Sequence, residues 1–247
     1  HVYAQSVERL YMVSPSQGGQ LELIGAFDGP CTLGTGLYDI AVNEDLQMIG
    51  ITSEGLFWID AETAECGQLV DFPPEYPQYY SLSYVKGVDP DAPDEDRLVA
   101  ASGDDGAWVL IDPTGTNVDD TFVHLGYFDP VGHELTSSGD IVSVRTGDDE
   151  FATYATVNCD IDYSPICVTD LLVEVEPQTG EAEIIGASGF QSVLGLGFWG
   201  DEVYGFTSDG EYLTIDTGTG EGSLVTQHPG VVFWGAGTTT EPYVESD

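Results

Sequence analysis

Val203-Tyr-Gly-Phe-Thr207 followed by Tyr212-Leu-Thr-Ile-Asp-Thr217 decides the fold, because nearly the same pair of stretches opens the chain: Val2-Tyr-Ala-Gln-Ser6, then Leu10-Tyr-Met-Val-Ser-Pro15. In both places an alternating run with a small residue at its centre is followed, across a short turn, by a second alternating run. Alternation with a period of two marks a strand, and two such runs joined by a turn make a hairpin. The second run recurs as Leu56-Phe-Trp-Ile-Asp-Ala61, Trp108-Val-Leu-Ile-Asp-Pro113 and Leu172-Val-Glu-Val-Glu-Pro177. The first recurs as a strand whose small residue is Ala4, Gly50, Ala100, Ala155 or Gly205.

Each hairpin lies between two further strand-like runs. Leu37 to Val42, Ser81 to Val85, Asp140 to Val144, Val193 to Phe198 and Val231 to Ala236 precede it. Leu21 to Ala26, Gly67 to Phe72, Phe122 to Gly126, Ala182 to Gly186 and Gly222 to Thr226 follow it. Four short strands repeated at a period of about 40 to 60 residues are the pattern of propeller blades. The chain reads as all-β: a single five-bladed β-propeller domain over 1–247, with blades near 37–72, 81–126, 134–187, 192–227, and 230–237 together with 1–27. The run at 231–236 has no strands after it, and residues 2–26 supply three strands lacking a first. The N-terminal strands are therefore expected to pair with the C-terminal strand and close the ring, which removes an open sheet edge.

Composition narrows the partners. There are 44 acidic residues against four basic ones, Arg9, Lys86, Arg97 and Arg145. Phosphate backbones and anionic lipids require Lys/Arg patches, so nucleic acid and membrane surfaces are excluded as expected partners. No run of about 18 apolar residues occurs, so no membrane-inserted helix is expected. The acidity fits a generically acidic secreted protein, a high-salt habitat or calcium use. Cysteines stand at 31, 66, 159 and 167. Their even count points to two disulfides in an oxidising compartment. Cys159 and Cys167 bracket a short loop, leaving Cys31 for Cys66, and the spacing is unlike a zinc site.

The units resemble those of bacterial secreted β-propellers of the quinoprotein-like and WD-like kind, whose third strand commonly ends in Ile-Asp-x-x-Thr-Gly. Ile111-Asp-Pro-Thr-Gly115 is one residue short of that spacing, and Val175-Glu-Pro-Gln-Thr-Gly180 carries Glu for Asp. The resemblance implies the fold and a secreted or cell-surface location, whether periplasm, outer surface or extracellular space. It implies no particular function, since propellers host lectins, hydrolases and scaffolds.

Candidate sites follow from blade geometry. The turns between second and third strands and the connections between blades share one face. Those turns carry Glu8, Glu54, Asp104, Asp105, Asp160, Asp162 and Asp209, an acid in every blade that would suit cations such as calcium, the one cofactor considered. The same turns are also ordinary hairpin sequences. Phe72-Pro-Pro-Glu-Tyr-Pro-Gln-Tyr-Tyr80 joins two blades with an unusual density of rings; Tyr76, Tyr79 and Tyr80, with Tyr127 and His133, are the candidate ligand contacts. Aligning the first strands brings Asp39, Ser83, Asp140, Gly195 and Phe233 to equivalent channel positions, and the pair Asp39 and Asp140 is the candidate for calcium or acid–base hydrolysis. The carboxylates at 60, 112, 176 and 216 read as turn-formers, and Asp89 to Asp96 as a solvated acidic loop. The leading expectation is a monomeric, non-catalytic recognition module for a glycan or an extracellular protein. A glycoside hydrolase using the channel carboxylates and a scaffold in a surface assembly are the alternatives.

Overall fold

The computed structural model describes residues 1–32, 36–73, 78–115, 118–131, 134–147, 150–159 and 164–240. It is a five-bladed β-propeller of five antiparallel four-stranded sheets. The innermost strands, one per blade, are Asp39–Val42, Tyr79–Val85, Thr136–Arg145, Val193–Trp199 and Gly235–Thr238. Each touches the innermost strand of the next blade, the last touching the first, so the ring is closed. The first four blades are numbered by chain order of these strands. The fifth consists of Gly235–Thr238 and the N-terminal strands Val2–Ser6, Arg9–Ser14 and Gln20–Ala26. Val2 pairs with Thr238 and Gln5 with Gly235, which is the closure the sequence implies.

The centre of each blade explains the recurrent small residue. Gly50, Ala100, Ala155, Gly205 and Ala4 stand opposite Ile40, Leu82, Ile141, Leu196 and Ala236 of the innermost strands. Strands converge toward the axis, and a larger side chain has no room there; a Cβ on Gly50 would press against Leu37 and Ile59. Between blades the core is aliphatic and aromatic, with Trp108, Tyr212, Phe57, Phe128 and Phe206 fully buried. Every third strand is also out of register with its outer strand at one equivalent point, between Leu10/Tyr11, Leu56/Phe57, Trp108/Val109, Leu172/Val173 and Tyr212/Leu213. A bulge bends the outer strand and adds twist, which a blade needs in order to splay outward.

The turns after the third strands use their carboxylates as turn-formers. Asp216 Oδ1 accepts from the Gly218 and Thr219 N–H groups, and Asp60 Oδ1 from those of Glu62 and Thr63. The Thr-Gly that follows is a packing device between blades. A Cβ on Gly126 or Gly186 of one outer strand would collide with the carbonyl of Thr179 or Thr219 in the next blade's turn.

Both expected disulfides are present, Cys31–Cys66 and Cys159–Cys167. The first ties the connection out of the fifth blade to the outer strand of the first. The second lies in the long segment between the second and third strands of the third blade.

The acidic stretch 89–96 is largely solvated, as expected, but one of its carboxylates is drawn inward. Lys86, only 3% exposed, donates to the Asp94 carbonyl and pairs with Asp96, whose side chain is 8% exposed, and with Glu44. Arg97 pairs with Asp89 and Glu95. The stretch is the counter-charge for two of the chain's four basic residues. Burial works against the Lys86 charge, but its hydrogen bond to Glu44 and the Asp96 charge outweigh it and raise its pKa.

Candidate functional site at the mouth of the axis

The innermost strands begin at the face that carries the second-to-third-strand turns and the blade connections. At that end the strands hold extra residues against their neighbours, one in most blades and two in the third. In the second blade the register jumps between Tyr79 and Ser81, in the fourth between Val193 and Gly195, and in the third between Ser137 and Ile141. In the first and fifth blades, Tyr38 donates to the Ile51 carbonyl that faces Asp39, and Trp234 to the Gln5 carbonyl that faces Gly235. Bulges of this kind re-aim side chains and gather beside functional sites. Here they bring Tyr38, Tyr80, Gly139, Leu194 and Trp234 together as the lining of a depression of about 270 Å³ on the axis, with Ser138 and Asn158 in its wall.

The geometry is aromatic on one side and open on the other. Tyr38 and Trp234 lie near parallel, ring centroids 6.4 Å apart, and Tyr38 meets Tyr80 edge-on at 5.2 Å. Tyr38 is itself buried and is anchored through its hydroxyl to Gln78 at 2.9 Å. Tyr80 lies over Gly103, where any Cβ would strike its ring, and it is 37% exposed. Burial, then the Asp104 charge, raises the Tyr80 pKa, so its hydroxyl stays protonated and available as a donor. Toward the third blade Gly139 packs against the backbone of Val193 and Leu194 in the fourth, where a Cβ would collide. There Ser138 Oγ, nine-tenths buried, lies beside the Asp170 carboxyl yet completes no hydrogen bond of ordinary geometry.

The next residue of each strand forms a second layer beneath the mouth: Asp39, Ser81, Asp140, Gly195 and Gly235. This corrects the sequence alignment in two blades, where Ser83 and Phe233 were placed in this layer; Phe233 instead packs fully buried among Phe206 and His228. Asp39 and Asp140 fill the space that two glycines leave, and they hydrogen-bond to each other. Asp39 also accepts from the Ile40 and Leu82 N–H groups at 2.8 and 2.7 Å, and Asp140 from those of Ile141 and Leu196, both at 2.6 Å. Burial, and at Asp39 also the neighbouring Asp140 charge, hold both carboxyls well above the usual aspartate range. Two carboxylates in contact cannot both ionise, so the pair shares a proton. It is 0% and 1% exposed. Acid–base hydrolysis needs carboxyls roughly 5 Å or more apart, astride a substrate. The pair floors the site, sealed from solvent beneath the mouth.

The other sequence candidates disperse. Tyr79, one step along the strand from Tyr80, points between blades and stacks on Phe122 at 5.3 Å, 6% exposed. Tyr127 contacts His124 on an outer strand, far from the axis. Glu54, Asp105 and Asp209 are exposed turn residues; Glu54 lines a separate depression with Phe72 and Gln78. Among the described residues no three His, Cys, Asp or Glu side chains converge as a metal cage. Tyr76, His133, Asp160 and Asp162 lie outside the described residues. Of the candidates among the described residues, Tyr80 lines the mouth, and Asp104 stands in the exposed turn next to the lining residue Gly103. Tyr38, Leu194 and Trp234 stand near the starts of the first-strand runs, one residue before Asp39, Gly195 and Gly235, so the position preceding Asp39 and Gly195 in the alignment is the signal for the first two.

No family model matches the chain, and no curated protein matches it. Solved structures do resemble it. One is the extracellular domain of a Bacteroides thetaiotaomicron one-component-system candidate, 11% identical with a TM-score of 0.48, covering 92% of this chain and 28% of that one. A protein of unknown function from the same species is 12% identical with a TM-score of 0.49, covering 88% and 54%. A third, of unknown function from Bacteroides caccae, is 10% identical with a TM-score of 0.44, covering 94% and 76%. This chain thus spans 28% of the length of the first of these structures. At such identities no function passes between them. The class is a five-bladed β-propeller, and its two disulfides point to an oxidising compartment. No helix of the described residues is long and apolar enough to cross a membrane.

Proposed function

We propose that this propeller is a non-catalytic recognition module that binds carbohydrate at the mouth of its axis. The observation that carries the reading is the convergence of Tyr38, Tyr80 and Trp234, from three different blades, on one depression. Flat rings beside hydroxyl and amide groups suit the apolar faces and hydroxyl edges of a sugar, and small-ligand sites are apolar hollows with a few placed polar groups. The sealed carboxyl pair below favours binding over hydrolysis. The test is titration of neutral oligosaccharides against the wild type, Tyr80→Ala and Trp234→Ala. At least one glycan is expected to bind, with affinity reduced about tenfold or more in either variant and an unchanged melting temperature. Absence of glycan binding, or binding indifferent to both substitutions, overturns the reading.

A protein partner is the second reading, favoured by one observation. Val131, Val168 and Val232, 92%, 52% and 48% exposed, all stand on connections or turns of the mouth face. Substituting all three with Ser would weaken a protein partner and leave a glycan untouched.

A further inference from the structure

No Lys or Arg is among the residues that line the axial depression. Lys86, Arg97 and Arg145 lie at the far ends of their strands or in the turns there; Arg9 is on the mouth face, exposed at the start of the third strand of the fifth blade and outside that lining. The chain as a whole has a formal charge of −40. At the rim, Asp104 is exposed and close enough to bear electrostatically on Tyr80. An aromatic face attracts a cation through its quadrupole, and a surface of one sign raises the local concentration of the opposite sign. A neutral sugar uses the rings but none of this field, and an acidic or sulfated sugar is repelled by it.

We propose that the sugar taken at the axial mouth is an amino sugar with a free, protonated amine, its ammonium group lying against the Tyr80 and Trp234 rings and within reach of the Asp104 carboxylate. The inference rests on the carbohydrate-binding reading above and names the class of sugar. Ser138 and Asn158 line the third-blade side of the depression and bring polar groups to it for the sugar's hydroxyls.

The experiment compares glucosamine oligomers with their fully N-acetylated counterparts at about pH 6, where the free amine is charged, by calorimetric titration of the full chain. The free-amine oligomer is expected to bind about tenfold more tightly, with that preference shrinking in Asp104→Asn and at high salt. A protein this acidic attracts any polycation, so Tyr80→Ala is the decisive control. It leaves the charge untouched and should abolish the excess affinity for the amine. Equal binding of the two oligomers overturns the inference and leaves the carbohydrate reading standing. Amine preference undiminished in Tyr80→Ala overturns it by reducing the effect to bulk charge. Failure of both oligomers, and of the neutral glycans, removes both readings together.

Discussion

Asp39 and Asp140 meet carboxyl to carboxyl on the propeller axis, and each also accepts from the N–H of its own successor and from one in the following blade. The pair thus stitches the first blade to the second and the third to the fourth, as well as spanning the ring.

Its proton makes stability depend on pH in a defined sense. The unfolded chain releases it near the ordinary value of 3.8, whereas the folded ring keeps it to higher pH. The stabilisation is therefore complete below the ordinary value and declines as pH rises through the folded one. Asp39→Asn, which imitates the protonated acid, should fold and show a flatter loss of stability between pH 4 and 8. Asp39→Ala leaves two buried N–H groups unpaired and should cost about 2–4 kcal/mol. Denaturant midpoints measured in 1 M salt, to damp the surface acids, check both; an unchanged slope in Asp39→Asn excludes the shared proton.

Neighbouring tyrosines should behave oppositely. Tyr79→Ala empties a site stacked on Phe122 and should cost about 3–5 kcal/mol, while Tyr80→Ala should stay within about 1 kcal/mol of wild type. Thermal melts of the two variants side by side decide the matter.

The two disulfides should contribute unequally. Chain-entropy arguments give about 4 kcal/mol for Cys31–Cys66, which spans 35 residues, and about 2.5 kcal/mol for Cys159–Cys167, which spans eight. Paired Cys→Ser variants in guanidinium titrations should show the first as the more damaging.

Lys86→Met should cost about 2–4 kcal/mol, because it leaves the nearly buried Asp96 without its counter-charge. Arg97→Gln should cost less than about 1 kcal/mol, since its partners are solvated. Stability curves at low and high salt should separate them, the first deficit persisting and the second vanishing.

The architecture was legible because its signals are local and repeated five times. Strand alternation, the crowded small residue and the turn carboxylate each answer to a nearby constraint, and the disulfide pairing followed from spacing. The site was only half legible. A strand shifted by two residues keeps every side chain on the same face, so nothing in the pattern separated Ser83 from Ser81 or Phe233 from Gly235. The extra residues of the inner strands lie just where alternation breaks down, which hid Tyr38, Leu194 and Trp234. Alternation did contain the distinction between Tyr79 and Tyr80, as successive residues of a strand face opposite ways. The engagement of Asp96 with Lys86 was invisible because the two meet only through tertiary folding.

The pairing of Val2 with Thr238 joins residues separated by nearly the whole chain. Loop-closure entropy must be met before so distant a contact gives anything back, and topologies of this kind fold slowly. During synthesis the strands of residues 2–26 wait, without an inner neighbour, until residues 235–238 have emerged. The fifth sheet is thus the last to be completed, and a chain stalled short of residue 235 would display an unpaired edge to any other nascent copy.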